Sequence, residues 1–329
     1  MNISVVICTR NRPDTLGQAV ESVAECDYPS FDVHIMDQST DDLSQKVVEE
    51  IAARFAHKLK INYHHLEKAG LSRAYNLGIA ASAGEIVACT DDDVVVPKDW
   101  VAQIAKAFAA DSEAGLLYGQ VLVPESLQED ARKGLVVPTL PIPKYERMIK
   151  GGGTRSFRVF GMGANYALRR SILDRVGLFD EALGGGGPLR SSQDFDFAYR
   201  VYRAGYALIL VPDVKVDHYG SRTADQWGGT MLAYGVGDGA FYSKHIRCGD
   251  FLAVRLLSKV LVINSARYVK RSLREHKFGR DDYMVGMFAG IRDAAKFDID
   301  PVHRLYRETA RAKMTVTASN VVTGVRRQK

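Results

Sequence analysis

Three consecutive carboxylates, Asp91, Asp92 and Asp93, stand between the runs Ile86-Val-Ala-Cys-Thr and Val94-Val-Val. The β-branched flanks read as buried strand, so the acids leave the C-terminal end of a strand, where α/β sheets carry out chemistry. Adjacent aspartates repel one another. A divalent cation relieves that repulsion, and oxygen-only ligands favour Mg²⁺ or Mn²⁺. The bland reading is an ordinary turn or helix cap. Other polar residues fall at comparable positions: Thr9 and Arg10 follow the first strand, and Asp37 ends the second. The Asp37 carboxylate is placed to accept hydrogen bonds from the N–H groups of a base. Ser39 and Asp41 read as helix caps. Arg73, within Gly70-Leu-Ser-Arg-Ala-Tyr-Asn-Leu-Gly78, lies near a helix start within reach of a diphosphate, although alone it would be a surface arginine.

The elements that must position these groups alternate. Strands are expected over Ile3–Thr9, Phe31–Met36, Ile61–His65, Ile86–Thr90 and Leu116–Val123, and helices over Pro13–Glu25, Leu43–His57, Leu71–Ala83 and Trp100–Ala110. That rhythm predicts an α/β fold with a mostly parallel sheet flanked by helices. Pro124–Gly153 loses periodicity, holds four prolines and reads as a long loop or lid. Order resumes over Phe157–Leu168, followed by a helix from Ser171, a glycine run Gly184–Gly187, a helix over Phe195–Ala204 and a strand over Ala207–Val211. The glycine run reads either as a flexible acceptor approach or as a surface loop. The sequence divides into a domain of residues 1–224 and a helical region, 225–329.

Within the helical region, Phe251–Arg280 carries eight Lys or Arg residues against one acid, Glu275. On a helical projection Arg255, Lys259, Lys270, Arg274 and Lys277 fall on one side, and Phe251, Val254, Leu257, Leu261, Tyr268 and Val269 on the other. Such a helix suits an anionic membrane surface, and a helix packed on its own domain with a solvated charged face has the same pattern. The net charge of +5 over 329 residues is too small to imply nucleic acid. Cys8, Cys26, Cys89 and Cys248 show no paired spacing and imply a reducing compartment. No cleavable leader and no spanning segment is visible, so a cytoplasmic protein, peripheral at the inner face of a membrane, is expected.

Taken in order, Val5-Val-Ile-Cys-Thr-Arg-Asn-Arg-Pro13, the Asp37 segment, Gly70–Gly84 running into Asp91-Asp92-Asp93, Gly161-Met-Gly-Ala-Asn165 with Arg169-Arg170, Val176–Glu181, and Gln193-Asp194-Phe-Asp196 with Arg200 and Ala204-Gly-Tyr206 are informative together. This array resembles the inverting nucleotide-sugar glycosyltransferases of family 2, which have the GT-A fold, over roughly residues 3 to 220. The resemblance implies that Asp91 and Asp93 hold the cation on the donor diphosphate and that Asp92 lies nearer the ribose or sugar. It further implies that Asp37 recognises the base, that Thr9, Arg73 and Asn165 are donor contacts, and that Asp194 is the general base on the acceptor hydroxyl. Gln193 stands where Glu is usual. His218, after Val214-Lys-Val-Asp217, matches a position that in some members adds a metal ligand; a lone histidine is otherwise structural. The expected activity is transfer of a sugar from a nucleoside-diphosphate sugar, UDP favoured, to a glycan or glycolipid hydroxyl in envelope polysaccharide synthesis.

The chemistry requires one base for the attacking hydroxyl and one electrophile for the leaving diphosphate, on opposite sides of the anomeric carbon. A glycoside hydrolase needs no nucleotide pocket. A sugar-phosphate nucleotidyltransferase would carry a glycine-rich first loop, and Thr9–Pro13 has no glycine. A non-catalytic sugar-nucleotide-binding protein is opposed by Asp194 and left open by Gln193. A Rossmann dehydrogenase fails for want of G-x-G-x-x-G after the first strand.

Overall fold

The computed structural model describes residues 1–150, 161–275 and 281–307. Its elements in chain order begin β1 Ile3–Thr9, α1 Pro13–Ala24, β2 Phe31–Asp37, α2 Leu43–Phe55, β3 Lys60–His65, α3 Leu71–Ala81, β4 Ile86–Asp91, β5 Val94–Val95, α4 Trp100–Ala110 and β6 Ala114–Leu122. They continue α5 Gln128–Arg132, β7 Glu146–Met148, β8 Asn165–Arg169, α6 Leu173–Val176, α7 Gln193–Arg203 and β9 Ala207–His218. Last come α8 Ala224–Arg247, α9 Phe251–Glu275, α10 Asp282–Ala294, β10 Asp298–Asp300 and β11 Leu305–Arg307. Two compact units form: Met1–Phe179 with Asp194–Trp227, and Asp180–Gln193 with the chain from Gly228 onward.

The first unit is a sheet of order β3-β2-β1-β4-β8-β6-β9-β5, with β7 paired to β9. β1 lies between β2 and β4, parallel to both, and all seven of its residues are buried, which is why it reads as an unbroken apolar run. Parallel register aligns strand ends: Thr9 is opposite Asp37, Asp37 opposite His65, and Cys8 opposite Asp91. Antiparallel β8 enters between β4 and β6 with Asn165 opposite Thr90, so its first residue reaches the same edge. The helices cover the sheet through buried stripes such as Leu16, Val20 and Val23 of α1 and Trp100, Ile104 and Phe108 of α4.

Several expectations change. The strand expected to end at Val211 runs on to His218, because β9 inserts extra residues between its pairings with Gly119 and Gln120 and then resumes an alternating buried and exposed pattern. Gly119 permits this: a Cβ there would stand 2.1 Å from the Val214 carbonyl oxygen. The segment expected as loop or lid contains α5 and β7, is tied by bridges Val121–Leu140 and Val136–Arg222, and gives β7 to the sheet. Order in the next segment starts as a strand at Asn165, and the helix from Ser171 is one 3-10 turn followed by the single turn of α6. Residues 151–160 lie outside the described part.

In the second unit, α8 and α10 cross at glycines spaced four apart on both helices. A Cβ at Gly239 would stand 2.1 Å from the Met287 carbonyl oxygen, and one at Gly290 2.0 Å from that of Val236. Backbone meets backbone there, so only glycine fits. Nearby, fully buried Lys244 Nζ donates to fully buried Asp180 Oδ2 at 2.5 Å, and Tyr306 N donates to the same oxygen. The basic helix expected as the first of this region follows α8. It buries Ala253 and Val260 and half-buries Leu257, Leu261 and Tyr268, whereas Phe251, Val254 and Val269 point outward. The face expected to pack as one apolar side is thus split. Lys277 lies outside the described residues. No described helix is long and apolar enough to cross a membrane.

Candidate active site at the carboxyl edge of the sheet

β4 ends at Asp91, the chain turns through Asp92 and Asp93, and β5 returns antiparallel to the end of β9 with Val94 opposite His218. That short pairing brings His218 back to the carboxylates across more than a hundred residues of sequence. His218 Nε2 lies 3.4 Å from Asp93 Oδ1, and Tyr219 N donates to the Asp93 carbonyl at 2.8 Å. One ligand atom each from Asp91, Asp93 and His218 lie within 4.8 Å of one another. Asp93 Oδ1 and His218 Nδ1 are buried without a hydrogen-bond partner. Gly220 keeps the space clear, since a Cβ there would stand 2.5 Å from Asp93 Oδ2 and 2.9 Å from the His218 ring.

Two carboxylates and one imidazole with unspent acceptor atoms fit a hard divalent cation of the Mn²⁺ or Mg²⁺ type. The electrostatics agree. Burial first, then the neighbouring Asp93, pushes the Asp91 carboxyl up to about 7. Burial alone would raise Asp93 too, but the close approach and charge of His218 and the Arg12 guanidinium hold it below the ordinary range. His218 is correspondingly raised, the adjacent Asp93 outweighing the effect of burial. The cluster therefore gathers positive charge from its own side chains.

Asp92 points the other way, toward β1. Its carboxylate accepts from Thr9 Oγ1 at 2.7 Å and from Arg12 Nη1 at 3.1 Å, and the same Nη1 lies 3.0 Å from Asp93 Oδ2. Arg12 was not expected in the site. Asn11 takes a left-handed conformation with φ 56°, which asparagine tolerates, and Pro13 opens α1, so Arg12 swings to the acids. Arg10 is exposed and forms no hydrogen bond or ion pair among the described residues. The signal in the sequence was Pro13, which fixes Arg12 as the residue before the helix. Tyr75, also unforeseen, donates to Asp91 Oδ1 at 3.3 Å from α3.

Asp37 is fully buried, and its carboxylate accepts from Ser39 N and Tyr63 OH, both at 2.7 Å. Gln38 ties this strand end to the start of α3 by donating to the Lys68 and Gly70 carbonyls. Half-buried Arg73 stands in the first turn of α3. Asn165 is wholly buried; its amide donates to the Gln120 and Val214 carbonyls at 2.8 and 3.1 Å, and its oxygen accepts from Trp100 Nε1 at 3.0 Å. With these partners Asn165 braces β6, β9 and α4 against each other.

Asp194 occupies the first turn of α7, where its Oδ1 accepts from Phe195 N and its backbone carbonyl accepts from Tyr118 OH. A Cβ on Gly163 would stand 3.2 Å from Asp194 Oδ2. Gly163 lies two residues before Asn165, the partner of Thr90, which immediately precedes Asp91. Gly163 therefore brings the Asp194 carboxylate near the start of β8, beside the β4 edge that carries the Asp91–Asp93–His218 cluster.

The model for glycosyl transferase family 2 matches residues 4–177, just over half of the chain. The chain belongs to glycosyl transferase family 2. Asp91, Asp92 and Asp93 fall within the matched segment, and Asp194 and His218 beyond it. Among relatives, a probable glycosyltransferase YdaM of Bacillus subtilis is 23% identical over 214 residues, covering 64% of this chain and 49% of the relative. A beta-monoglucosyldiacylglycerol synthase of Synechocystis is 21% identical, covering 68% and 44%. The chain thus spans about half the length of these curated relatives. The mannosyltransferase PcManGT from Pyrobaculum calidifontis, solved with GDP-Man and Mn²⁺, matches with a TM-score of 0.58 at 19% identity over 98% of this chain and 80% of that one. S. aureus TarS 1–349 with UDP matches with a TM-score of 0.53 at 19% identity over 92% and 95%. The fold is the GT-A fold.

Proposed function

We propose that this transferase moves a sugar, with inversion, from a nucleoside-diphosphate sugar to a hydroxyl of a glycan or glycolipid. The observation that carries the reading is the placement of Asp194 and of the Asp91–Asp93–His218 cluster at one strand edge, one carboxylate apart from a group of ligands. Asp91, Asp93 and His218 would hold Mn²⁺ or Mg²⁺, which supplies Lewis-acid stabilisation of the departing diphosphate when bound. Asp194 takes the proton from the acceptor hydroxyl as its oxygen attacks the anomeric carbon from the side opposite the diphosphate, and that opposition gives inversion. Asp92, fixed by Thr9 and Arg12, orients the ribose or sugar. Arg73 faces the diphosphate, and the Asp37 strand end, with Tyr63, lies at the base.

UDP is the proposed nucleotide. The TarS structure with UDP and the PcManGT structure with GDP-Man and Mn²⁺ share the fold and bracket the choice. A synthase named for a glucosylated diacylglycerol among the relatives supports an envelope glycan or glycolipid acceptor at the inner face of a membrane. The test is a binding and turnover screen of UDP-, dTDP- and GDP-sugars with Mn²⁺, Mg²⁺ or chelator on wild type, Asp93→Ala and Asp194→Asn. Cation-dependent donor binding lost in the first variant, and binding kept with turnover lost in the second, is expected. Turnover surviving Asp194→Asn, or retention of anomeric configuration in the product, would overturn the mechanism.

A further inference from the structure

α9 presents an outward stripe that the described residues of its own unit do not cover. Phe251, Val262, Val269 and Leu273 are 77%, 69%, 47% and 62% exposed. Their spacings of 11, 7 and 4 residues correspond to about three, two and one helical turns, so they form one line about 33 Å long. Scattered exposed apolar residues are ordinary; a row of four on one helix is not. Arg255, Lys259 and Lys270 follow stripe positions by four or eight residues and therefore run along one flank, all exposed. None of these three forms an ion pair among the described residues. Ser258 and Ser265 lie along the other flank. The described helix holds six basic residues against the single acid Glu275.

We infer that this face is a docking surface for an anionic lipid bilayer, with Phe251, Val262, Val269 and Leu273 entering the headgroup boundary and Arg255, Lys259 and Lys270 meeting lipid phosphates. Charge selects the occupant. A second copy of the same face would oppose like charges, and an apolar protein groove would not account for a flank of unpaired cations, whereas an anionic bilayer satisfies stripe and flank together. This differs from a helix attached by charge alone: the fold exposes Phe251 and Val269 of the projected apolar side together with Val262 and Leu273, which that projection leaves out, and covers Leu257, Leu261 and Tyr268 in part. For its biological purpose the inference rests on the proposed membrane-associated acceptor; vesicle binding itself needs neither donor nor acceptor, so the two readings fail separately.

The experiment is flotation of the full chain, without donor, with phosphatidylcholine vesicles or with vesicles also containing phosphatidylglycerol, at low and high salt. Val262→Asp/Val269→Asp and Arg255→Glu/Lys259→Glu/Lys270→Glu are compared with wild type after circular dichroism confirms folding. Binding to anionic vesicles only, weakened by salt and reduced at least about ten-fold in each variant, is expected. Because every substituted side chain is exposed, both variants should fold, and Val262→Ser/Val269→Ser is a milder second form of the first. Equal binding by all variants, no binding to either vesicle, loss in the charge variant with none in the apolar variants, or a concentration-dependent dimer abolished by Val262→Asp/Val269→Asp without vesicle binding would each overturn it.

Discussion

Asp91→Asn tests the electrostatic logic of the site without using turnover. In the folded chain burial and Asp93 carry the Asp91 carboxyl from its ordinary 3.8 to about 7, so between those values the folded state keeps a proton that the unfolded state has released. Stability therefore falls as pH rises through that window, by at most roughly 4 kcal/mol. His218 acts with the same sign: raised in the fold, its contribution is full below its unfolded value of 6.5 and is lost as pH passes its folded value. The penalty belongs to the coupled cluster, so removing one charge should recover about 1–2 kcal/mol at pH 8. Asparagine keeps an acceptor for Tyr75 OH. Without divalent cation the variant should melt about 2–4 °C above wild type at pH 8 and within about 1 °C of it at pH 4.5. Mn²⁺ should raise the melting temperature of wild type, more at pH 8 than at pH 6, and leave the variant almost unmoved. Calorimetric melts at the three pH values, with Mn²⁺ or chelator, decide it. An apo variant destabilised equally at pH 4.5 and 8, or stabilised by Mn²⁺ as strongly as wild type, would refute the reasoning.

Three further outcomes are expected. Arg12→Gln removes a cation from between Asp92 and Asp93; because Arg12 is half exposed the stability loss should stay within about 1 kcal/mol, while Mn²⁺ binding measured by titration calorimetry on the apo protein tightens as competition is removed. Asn165→Leu leaves the Gln120 and Val214 carbonyls and the Trp100 indole without their partner, and chemical denaturation should show a loss of about 2–4 kcal/mol with donor affinity of the remaining folded protein unchanged. Gly239→Val drives a branched side chain into the Met287 carbonyl; the expected loss exceeds about 3 kcal/mol and appears as aggregation or absence of the folded species, whereas substitution of solvent-open Gly249 by Asn should be nearly silent.

Local pattern carried much of this protein. The seven-residue apolar β1, the alternation of strands and helices to Trp100 and the three aspartates after β4 were all legible, because a parallel strand buried on both faces and an amphipathic helix each impose their own period on the chain. Asp91, Asp93 and His218, singled out from the sequence, lie within reach of one another in the fold. Less legible were residues whose roles depend on one backbone angle or one distant partner. Arg10 and Arg12 have the same charge and lie two residues apart, and the φ of Asn11 selects between them. The partners of Asn165, Trp100, Gln120 and Val214, lie 45 to 65 residues away and are joined to it only by the fold. The outward stripe of α9 cannot be read from a projection, since Leu257 and Val262 are alike in hydropathy and only the packing of the unit decides which is covered.

Sequence by itself determined the family and the sheet at whose edge the candidate acids stand, because strand periodicity and strand ends are local properties of the chain. Tertiary structure decided the rest: the β9 bulge that carries His218 to Asp93, the turn that aims Arg12, and the approach of Gly163 to the Asp194 carboxylate. These are contacts between segments tens to more than a hundred residues apart, set by register and packing rather than by any spacing along the chain.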